Sequence, residues 1–211
     1  MEKLTGLKKI KTAVFISGSG SNLKNIIKFS KIKKSPISID LIISNTKKAK
    51  GLIFADNFKI KKKIFNSKDF KNIEKNILLL LKKEKIKFIC LAGFMKILSR
   101  NFIKKFDGKI INIHPSLLPK YKGLNTHSRA INNKDKFAGC TVHYVTAKLD
   151  SGEIILQKKI KIAASDNFES LAKKVLKQEH KLYPAAITKI FNQSLKKKLI
   201  SIFAFSTLSE P

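Results

Sequence analysis

The sequence predicts an α/β fold with a mostly parallel, Rossmann-like sheet flanked by helices and an antiparallel extension in the C-terminal half. Two observations carry this prediction. Short apolar runs alternate with amphipathic stretches over residues 12–114, and two strand-like runs joined by a tight turn follow at 139–162. Alternating strands and helices are typical of parallel sheets, whereas strands joined by a short turn pair antiparallel.

The first half of the chain supplies the parallel strands. Residues 12–17 form a continuous apolar run before a Gly-Ser-Gly turn, which is typical of a buried parallel strand. Ser21 is predicted to cap the next helix, because a serine hydroxyl can accept the free N–H groups of a first turn. The other predicted elements are a strand at 37–44, a short helix ending near Phe58, a helix capped by Ser67 with Phe70, Ile73 and Ile77 on one face, and strands at 86–91 and 109–114.

The second half changes pattern after residue 138. The antiparallel pair is predicted at 139–145 and 153–162, around the turn 149–152. A final helix is predicted at 168–191, interrupted or kinked near Pro184, because proline lacks the N–H that a helix interior needs. Residues 199–205 are predicted to form a terminal strand.

The chain is strongly basic, with a formal net charge of +31. A nucleic-acid-binding protein would carry such a charge. However, Arg100 and Arg129 are the only arginines, and the lysines are scattered over the whole chain. Base recognition favours the two-pronged Arg side chain. The abundance of Lys, Ile, Asn and Phe matches an AT-rich coding sequence, so no specific nucleic-acid partner is expected. A basic nucleic-acid-binding Rossmann-like protein remains the alternative from a different functional class.

The cysteines and the apolar runs bear on the cellular compartment of the protein. Cys90 and Cys140 lie in apolar surroundings, which favours reduced, structural thiols and a cytoplasmic protein. No signal peptide is recognisable at residues 1–11, and the longest apolar run, 77–81, is too short to cross a bilayer. We expect no membrane partner, and a monomer or homodimer.

A glycine-rich loop follows the first predicted strand. It contains Gly18, Ser19, Gly20, Ser21 and Asn22. Backbone N–H groups at such a helix start form an anion site. A dinucleotide fingerprint would have a third glycine where Leu23 stands, and an acidic residue at the end of the second strand. The loop therefore fits a single phosphate better than a dinucleotide, and a simple tight turn is the structural alternative.

Asn112 and His114 form a second candidate site at the end of the strand 109–114. Alternate residues of a strand face the same side, so these two side chains project together before Pro115 ends the strand. Acyl transfer needs a donor for a developing oxyanion and a group that moves a proton, and an amide beside an imidazole supplies both. A histidine that is merely hydrogen-bonded at a strand end is the alternative.

Two carboxylates complete the candidates. Asp150 lies in the turn 149–152, where aspartate is also common for backbone reasons alone. Glu179 continues an apolar helix stripe, so it faces a pocket or pairs with a buried cation. The remaining histidines, His127, His143 and His180, have no metal-ligand spacing, and no metal is predicted.

With these residues in place, the chain resembles the folate-dependent phosphoribosylglycinamide formyltransferases over residues 12–191. The resemblance rests on five segments in the same order: 16–23 (ISGSGSNL), 91–98 (LAGFMKIL), 112–121 (NIHPSLLPKY), 141–152 (TVHYVTAKLDSG) and 178–184 (QEHKLYP).

The resemblance implies an enzyme with two halves, a phosphate- and nucleotide-binding half at 1–108 and a catalytic and folate-binding half at 109–211, within a single domain at 1–211. It implies transfer of a formyl group from 10-formyltetrahydrofolate to glycinamide ribonucleotide in purine biosynthesis, without a metal. The implied catalytic residues are Asn112, His114 and Asp150, and the implied substrate-binding residues are Gly18, Ser19, Gly20, Ser21, Asn22 and Glu179. The implied folate-binding residues are Lys68, Met95, Lys96, Ile97, Leu98 and Asn112.

Some positions depart from the family pattern. Lys68 and Lys96 stand where the family commonly has Arg, so the two-pronged grip on a glutamate tail is lost. Lys122 and Asn125 stand where members often have Pro and His, which bears on the stiffness of that loop.

The mechanism that we expect assigns the oxyanion to Asn112 and the proton transfer to His114. Asp150 is expected to raise the pKa of His114 and to order a water molecule. The alternative activities are a formyltetrahydrofolate hydrolase or another formyltransferase, such as a methionyl-tRNA formyltransferase. Those enzymes usually carry an additional domain, for which this chain has little length.

Overall fold

Strands and helices alternate along the chain from Ile10 onward. The computed structural model describes residues 8–66 and 70–206, with side chains at 8–66 and 73–193. In chain order the elements are β1 (Ile10–Ile16), α1 (Ser21–Ser30), β2 (Ile37–Ser44), α2 (Leu52–Asn57), β3 (Lys61–Ile64), α3 (Phe70–Lys83), β4 (Phe88–Leu91), α4 (Arg100–Lys105), β5 (Lys109–His114), α5 (Thr126–Asn132), β6 (Phe137–Tyr144), β7 (Ile154–Lys161) and α6 (Phe168–Ser206).

Within the described residues, seven strands form one sheet in the order β3-β2-β1-β4-β5-β6-β7. The first five are parallel, and β6 and β7 add antiparallel strands beside β5. This confirms the predicted fold class, including the antiparallel extension. The chain leaves β1 toward β2 on one side and reaches β4 on the other, so the strand order reverses there. In open α/β sheets a ligand crevice forms at the carboxyl ends of strands at such a point.

Most predicted elements lie where the sequence places them, and three were missed. The predicted strands at 37–44 and 109–114 have the observed bounds. The missed elements are β3, α4 and α5. The last two are helices of six and seven residues, which are too short to show a helical period. The predicted cap Ser67 lies outside the described residues.

Helix α6 overturns the predicted terminal strand and shows no interruption at Pro184, whereas the kink that was the alternative there stays a prediction. It runs through Pro184 without interruption and continues to Ser206, so the predicted terminal strand at 199–205 is wrong. Extending an existing helix needs no new nucleation, and this outweighs a short local strand preference. Proline cannot donate to the carbonyl of His180, and that oxygen instead accepts a hydrogen bond from Asn25 Nδ2 at 2.6 Å.

The core lies on both faces of the sheet. Val14 and Ile16 of β1 pack toward α1 and α6, whereas Ala13 and Phe15 pack toward α3 and α4. Since both faces are covered, β1 is apolar throughout and not alternating. The sheet continues without a break across residue 108, and the predicted division into two halves stays a prediction.

Helix α6 is also fixed over the sheet by the buried Tyr183. Its hydroxyl donates to the backbone oxygen of Leu91 at 2.9 Å, at the end of β4. Glu179, one helical turn earlier, is thereby held above the carboxyl ends of the strands. Among residues 8–66 and 70–206, no helix combines the length and apolar character that a membrane span requires.

Candidate active site

A cavity of about 640 Å³ opens at the carboxyl ends of β4 and β5. Its floor is polar and its mouth is apolar. The polar side chains that line it include Asn22, Asn112, His114, His127, His143, Asp150 and Glu179. The sequence-predicted catalytic residues Asn112, His114 and Asp150 therefore lie in one cavity, with Asn22 of the glycine loop and Glu179 of α6 at its edge.

The imidazole of His114 is held in one orientation at the end of β5. Its Nε2 lies 2.8 Å from the backbone oxygen of Tyr121. Because a carbonyl only accepts hydrogen bonds, Nε2 carries the proton and donates it there. Nδ1 faces Asp150, 3.4 Å from Oδ2. Nδ1 is therefore the ring atom that can gain or lose a proton beside the cavity.

Burial sets the protonation of His114. The side chain is 6% exposed, and the loss of water around it lowers its pKa below the ordinary 6.5. The Tyr121 carbonyl and the Asp150 carboxylate act to raise that pKa, while His143 and Arg129 lower it further. Asp150 raises the pKa as expected, but the desolvation of the ring is the larger influence, so the net shift is downward. The ring is therefore neutral at pH 7.

Asp150 is an ionised carboxylate between two histidines. It occupies the left-handed region with φ of 44°, and its Oδ2 accepts a hydrogen bond from the Gly123 N–H at 2.9 Å. Burial acts to raise its pKa, but His143, the Gly123 N–H and His114 together hold the pKa below the ordinary 3.8. The turn therefore supplies a fixed negative charge next to Nδ1 of His114.

His143 belongs to the site and was missed as a site residue. The antiparallel register places it directly opposite Asn112. Its Nδ1 donates to the Tyr144 carbonyl at 2.8 Å. Its Nε2 lies 3.2 Å from Asn112 Nδ2 and 3.6 Å from Asp150 Oδ1. A neutral His143 accepts from Asn112, and a protonated one can donate to Asp150. The signal that could have found it is the strand register, which the sequence alone does not fix.

Within the described part of the chain, the amide nitrogen of Asn112 hydrogen-bonds to one partner, His143. An amide nitrogen carries two protons, and His143 takes only one of them. Asn112 and His114 line the same cavity, so the second proton is available to a ligand bound there. This is the arrangement of a hydrogen-bond donor beside a proton acceptor that acyl transfer requires.

Glu179 and Asn22 form a buried polar pair at the other end of the cavity. Asn22 Nδ2 donates to Glu179 Oε2 at 2.7 Å. Burial raises the pKa of Glu179 above 4.5, and the Asn22 hydrogen bond offsets this only in part. Asn22 Oδ1 is buried and makes no hydrogen bond within the described part of the chain. Of the two interpretations left open for Glu179, the structure shows the one that faces a pocket.

The glycine loop leads into α1 without the side-chain cap that the sequence predicts. Gly20 is the N-cap residue, with φ of 76°, and no side chain caps the helix. The prediction that Ser21 caps α1 was therefore wrong, since Ser21 is already the first helical residue. The reason is steric. A Cβ on residue 20 would lie 2.5 Å from the Cα of Gly51, so only glycine fits before the helix.

The missing cap leaves the start of α1 open to a ligand. The N–H groups of a first helical turn have no intrahelical acceptor, and here no serine or aspartate side chain takes them. The first turn also carries no acidic residue. Gly18 and Ser19 are exposed, and Gly20 is buried. The predicted phosphate loop therefore presents unpaired donors at the positive end of a helix.

The mouth of the cavity is apolar. Met95 and Ile97 are 63% and 65% exposed, whereas Leu98 is buried beneath them. Lys96 lines the same wall, and Lys68 lies outside the described residues. Exposed apolar side chains from three other segments complete the mouth, namely Leu124, Leu149 and Phe168. Clustered exposed apolar side chains around a cavity are typical of a site for a flat organic ligand.

No group of three or more His, Cys, Asp or Glu side chains among the described residues has a geometry suited to a metal ion. The absence of a metal from the chemistry stays a prediction.

Comparison with known proteins identifies relatives over most of the chain. The family model described as formyl transferase matches residues 10–187. The phosphoribosylglycinamide formyltransferase of Haemophilus influenzae is 43% identical over 180 residues, which cover 84% of this chain and 85% of that protein. The human trifunctional purine biosynthetic protein adenosine-3 is 42% identical over 183 residues. That match covers 85% of this chain but only 18% of the human protein.

Solved structures agree with the sequence comparison. The phosphoribosylglycinamide formyltransferase of Brucella melitensis has a TM-score of 0.82 and 42% identity, covering 87% of this chain and 96% of its own. The enzyme of Anaplasma phagocytophilum has a TM-score of 0.82 and 40% identity, covering 89% and 88%. The resemblance stated from the sequence is thereby confirmed: this chain belongs to the formyl transferase family and is a relative of the phosphoribosylglycinamide formyltransferases.

Proposed function

We propose that this protein transfers a formyl group from 10-formyltetrahydrofolate to the amino group of glycinamide ribonucleotide, a step of purine biosynthesis. The observation that carries the proposal is the meeting of Asn112, His114 and Asp150 in one cavity whose edge reaches the start of α1. The names of the relatives support the same activity.

The phosphate of the ribonucleotide binds at the start of α1. The uncapped N–H groups of Ser21 and Asn22, together with the backbone of Gly18, Ser19 and Gly20 before them, give it donors at the positive helix end. Asn22 also lines the cavity, so a ligand anchored there extends toward Asn112. Glu179 and the free Asn22 Oδ1 are acceptors for the polar groups between the phosphate and the amine.

The reaction uses the polar floor of the cavity. The amine attacks the formyl carbon, and a C–N bond forms while the carbonyl oxygen becomes an oxyanion. The second N–H of Asn112 donates to that oxygen. Nδ1 of His114 accepts the proton that the amine loses and, through water, returns it to the folate nitrogen as its bond to the formyl carbon breaks. Asp150 stabilises the transient imidazolium, since its carboxylate is ionised and lies 3.4 Å away.

The apolar mouth holds the folate. Met95, Ile97 and Leu98 present an apolar wall to flat rings. Lys96, on the same wall, provides a positive charge for the acidic tail, and Lys68 has the same assignment from the family resemblance. A lysine offers a point charge without the two-pronged geometry of arginine.

We also propose a cytoplasmic location and a monomeric or homodimeric enzyme whose partners are these two small molecules. Cys90 and Cys140 are free, buried thiols, and this supports a reducing compartment.

The experiment is a spectrophotometric assay of the deformylated folate, with and without glycinamide ribonucleotide. The proposal predicts product only when the amine is present. Product in the absence of the amine would assign the chain to formyl-folate hydrolysis. Nucleic-acid binding is tested on the same protein by filter binding at increasing salt. Salt-sensitive binding without folate turnover would favour the nucleic-acid alternative.

A further inference from the structure

The backbone of the loop at residues 119–125 hydrogen-bonds to both His114 and Asp150. The Tyr121 carbonyl accepts the proton of His114 Nε2 at 2.8 Å. Two residues later, the Gly123 N–H donates to Asp150 Oδ2 at 2.9 Å. The orientation of both catalytic side chains therefore depends on where this short stretch of backbone lies.

This loop has several residues in left-handed backbone conformations, so contacts from outside the loop must stabilise it. Tyr121 and Asn125 have positive φ values of 55° and 58°, in the left-handed region that residues with a Cβ avoid. Gly123, between them, is also left-handed, with φ of 77°. After Pro119 the loop has no further proline, and position 122 is a lysine, so the left-handed stretch 121–125 has no proline to stiffen it.

Arg129 contacts three parts of this loop. Its Nη1 donates to the Lys122 carbonyl at 2.8 Å and lies 3.5 Å from the Leu124 carbonyl. Its guanidinium carbon lies 4.9 Å from the centre of the Tyr121 ring. The planar fork of arginine suits two carbonyl acceptors and an aromatic face at the same time. Arg129 does not line the cavity.

A second set of contacts holds the same tyrosine from outside. The Tyr121 hydroxyl donates to Asp135 Oδ2 at 2.8 Å and accepts from Asn133 Nδ2 at 2.8 Å. Arg129 itself extends from α5, which is anchored by the buried Ala130. These contacts fix the loop to the packed helix α5 and to the segment that follows this helix.

We propose that Arg129 is a positioning residue that holds the loop 119–125 so that its backbone aligns His114 and Asp150 for the reaction. The inference rests on the proposed function for its kinetic consequence. Arg129 acts through the loop and touches no substrate. Its cation also lowers the pKa of His114. The other titratable groups that act on the imidazole are Asp150 and His143, and the imidazole itself lowers the pKa of the neighbouring His127.

The test compares Arg129→Gln, Arg129→Lys and the control Arg100→Gln, which removes the chain's other arginine at an exposed site outside the cavity. Steady-state kinetics and thermal unfolding are measured for all of them. Misplacement of catalytic groups by about 1 Å costs on the order of 10²-fold. We expect kcat to fall about 10- to 100-fold in both Arg129 variants, with KM for the glycinamide substrate and the melting temperature near wild type.

The two variants separate geometry from charge. Both variants lose the fork, so kcat falls in both. Arg129→Lys keeps the cation and Arg129→Gln removes it, so the acidic limb of the pH profile should lie at higher pH in Arg129→Gln than in Arg129→Lys, because the cation lowers the pKa of His114. Wild-type kcat in both variants, or a kcat loss matched by an equal loss in Arg100→Gln, would overturn the inference.

A readout without turnover keeps the inference distinct from the proposed activity. In the ring ¹⁵N–¹H spectrum, the Nε2 proton of His114 is protected from water by its bond to the Tyr121 carbonyl. We expect this signal in the wild type and in Arg100→Gln, and its loss through fast exchange in both Arg129 variants. An unchanged signal in those variants contradicts the positioning role whether or not the wild type forms product. A wild type that is inactive with glycinamide ribonucleotide contradicts the proposed function instead.

Discussion

The loops that follow β1 and β5 approach the same cavity but are held by opposite means. The first is fixed by its backbone, since Gly20 packs against Gly51 at a distance that admits no side chain. The Gly18 carbonyl accepts a hydrogen bond from the Gly51 N–H at 3.0 Å, and the Ser17 N–H donates to the Gly93 carbonyl at 3.1 Å. The second, at 119–125, is fixed by side chains, among which Arg129 is central.

The two loops also differ in the partners of their backbone N–H and carbonyl groups. The loop after β1 leaves the N–H groups of the first turn of α1 unpaired, so they are available to a ligand. The loop after β5 uses its carbonyl and N–H groups on His114 and Asp150. Changes near the first loop should therefore alter substrate affinity, and changes around the second should alter the rate of the chemical step.

The largest effect is expected at the residue that the second loop orients. His114→Gln should lower kcat by about 10²–10⁴, because the proton acceptor is lost. His180→Gln is the matched control, since burial also lowers the pKa of His180 but its side chain does not line the cavity. A kcat in His114→Gln equal to that of the control would remove His114 from the mechanism.

Asn112→Ala should lower kcat by about 10²–10³, the usual cost of one oxyanion donor. The variant also removes the partner of His143 Nε2, so His143→Ala is measured beside it. If His143→Ala alone reproduces the whole loss, Asn112 acts only by holding His143. Near wild-type turnover of Asn112→Ala would exclude it from the reaction.

Changes in the first loop should act on binding. Ser21→Ala and Asn22→Ala keep the backbone N–H groups and remove the side-chain hydroxyl and amide beside them. Each should raise KM for glycinamide ribonucleotide about tenfold, the worth of one side-chain hydrogen bond to a charged group, and leave KM for the folate near wild type. Initial rates with each substrate varied in turn provide the measurement. An equal rise for both substrates contradicts the phosphate assignment and the division of roles between the loops.

The smallest expected effect is a shift in the pH dependence of kcat/KM. Because burial lowers the pKa of His114, the acidic limb of kcat/KM should lie below pH 6.5. The Asp150 carboxylate raises that pKa, so Asp150→Asn should move the limb of the residual activity to still lower pH. Asp166→Asn, outside the cavity, should leave it in place. A shift to higher pH in Asp150→Asn would mean that Asp150 does not act on His114.

The buried strands and their polar ends could be predicted because their signals are local. Apolar runs predicted β2 and β5 with their observed bounds, and the alternation along β5 placed Asn112 and His114 on one side. Edge strand β3 was not predicted because Lys61, Lys62 and Lys63 are exposed, and a charged edge strand lacks the apolar run by which the other strands were predicted.

What could not be predicted depends on distant contacts. His143 joins the site only through its register with Asn112, and Gly20 takes the cap position because Gly51 leaves no room for a side chain. The net pKa direction of His114 also required its burial. Each of these depends on partners that are remote in sequence.

The most direct test of the division between the two loops is a crystal structure with glycinamide ribonucleotide and an unreactive folate analogue. We expect the phosphate within hydrogen-bonding distance of the Ser21 and Asn22 N–H groups, and the amine beside Asn112 Nδ2 and His114 Nδ1. A phosphate bound away from the start of α1, or an amine out of reach of both side chains, would contradict it.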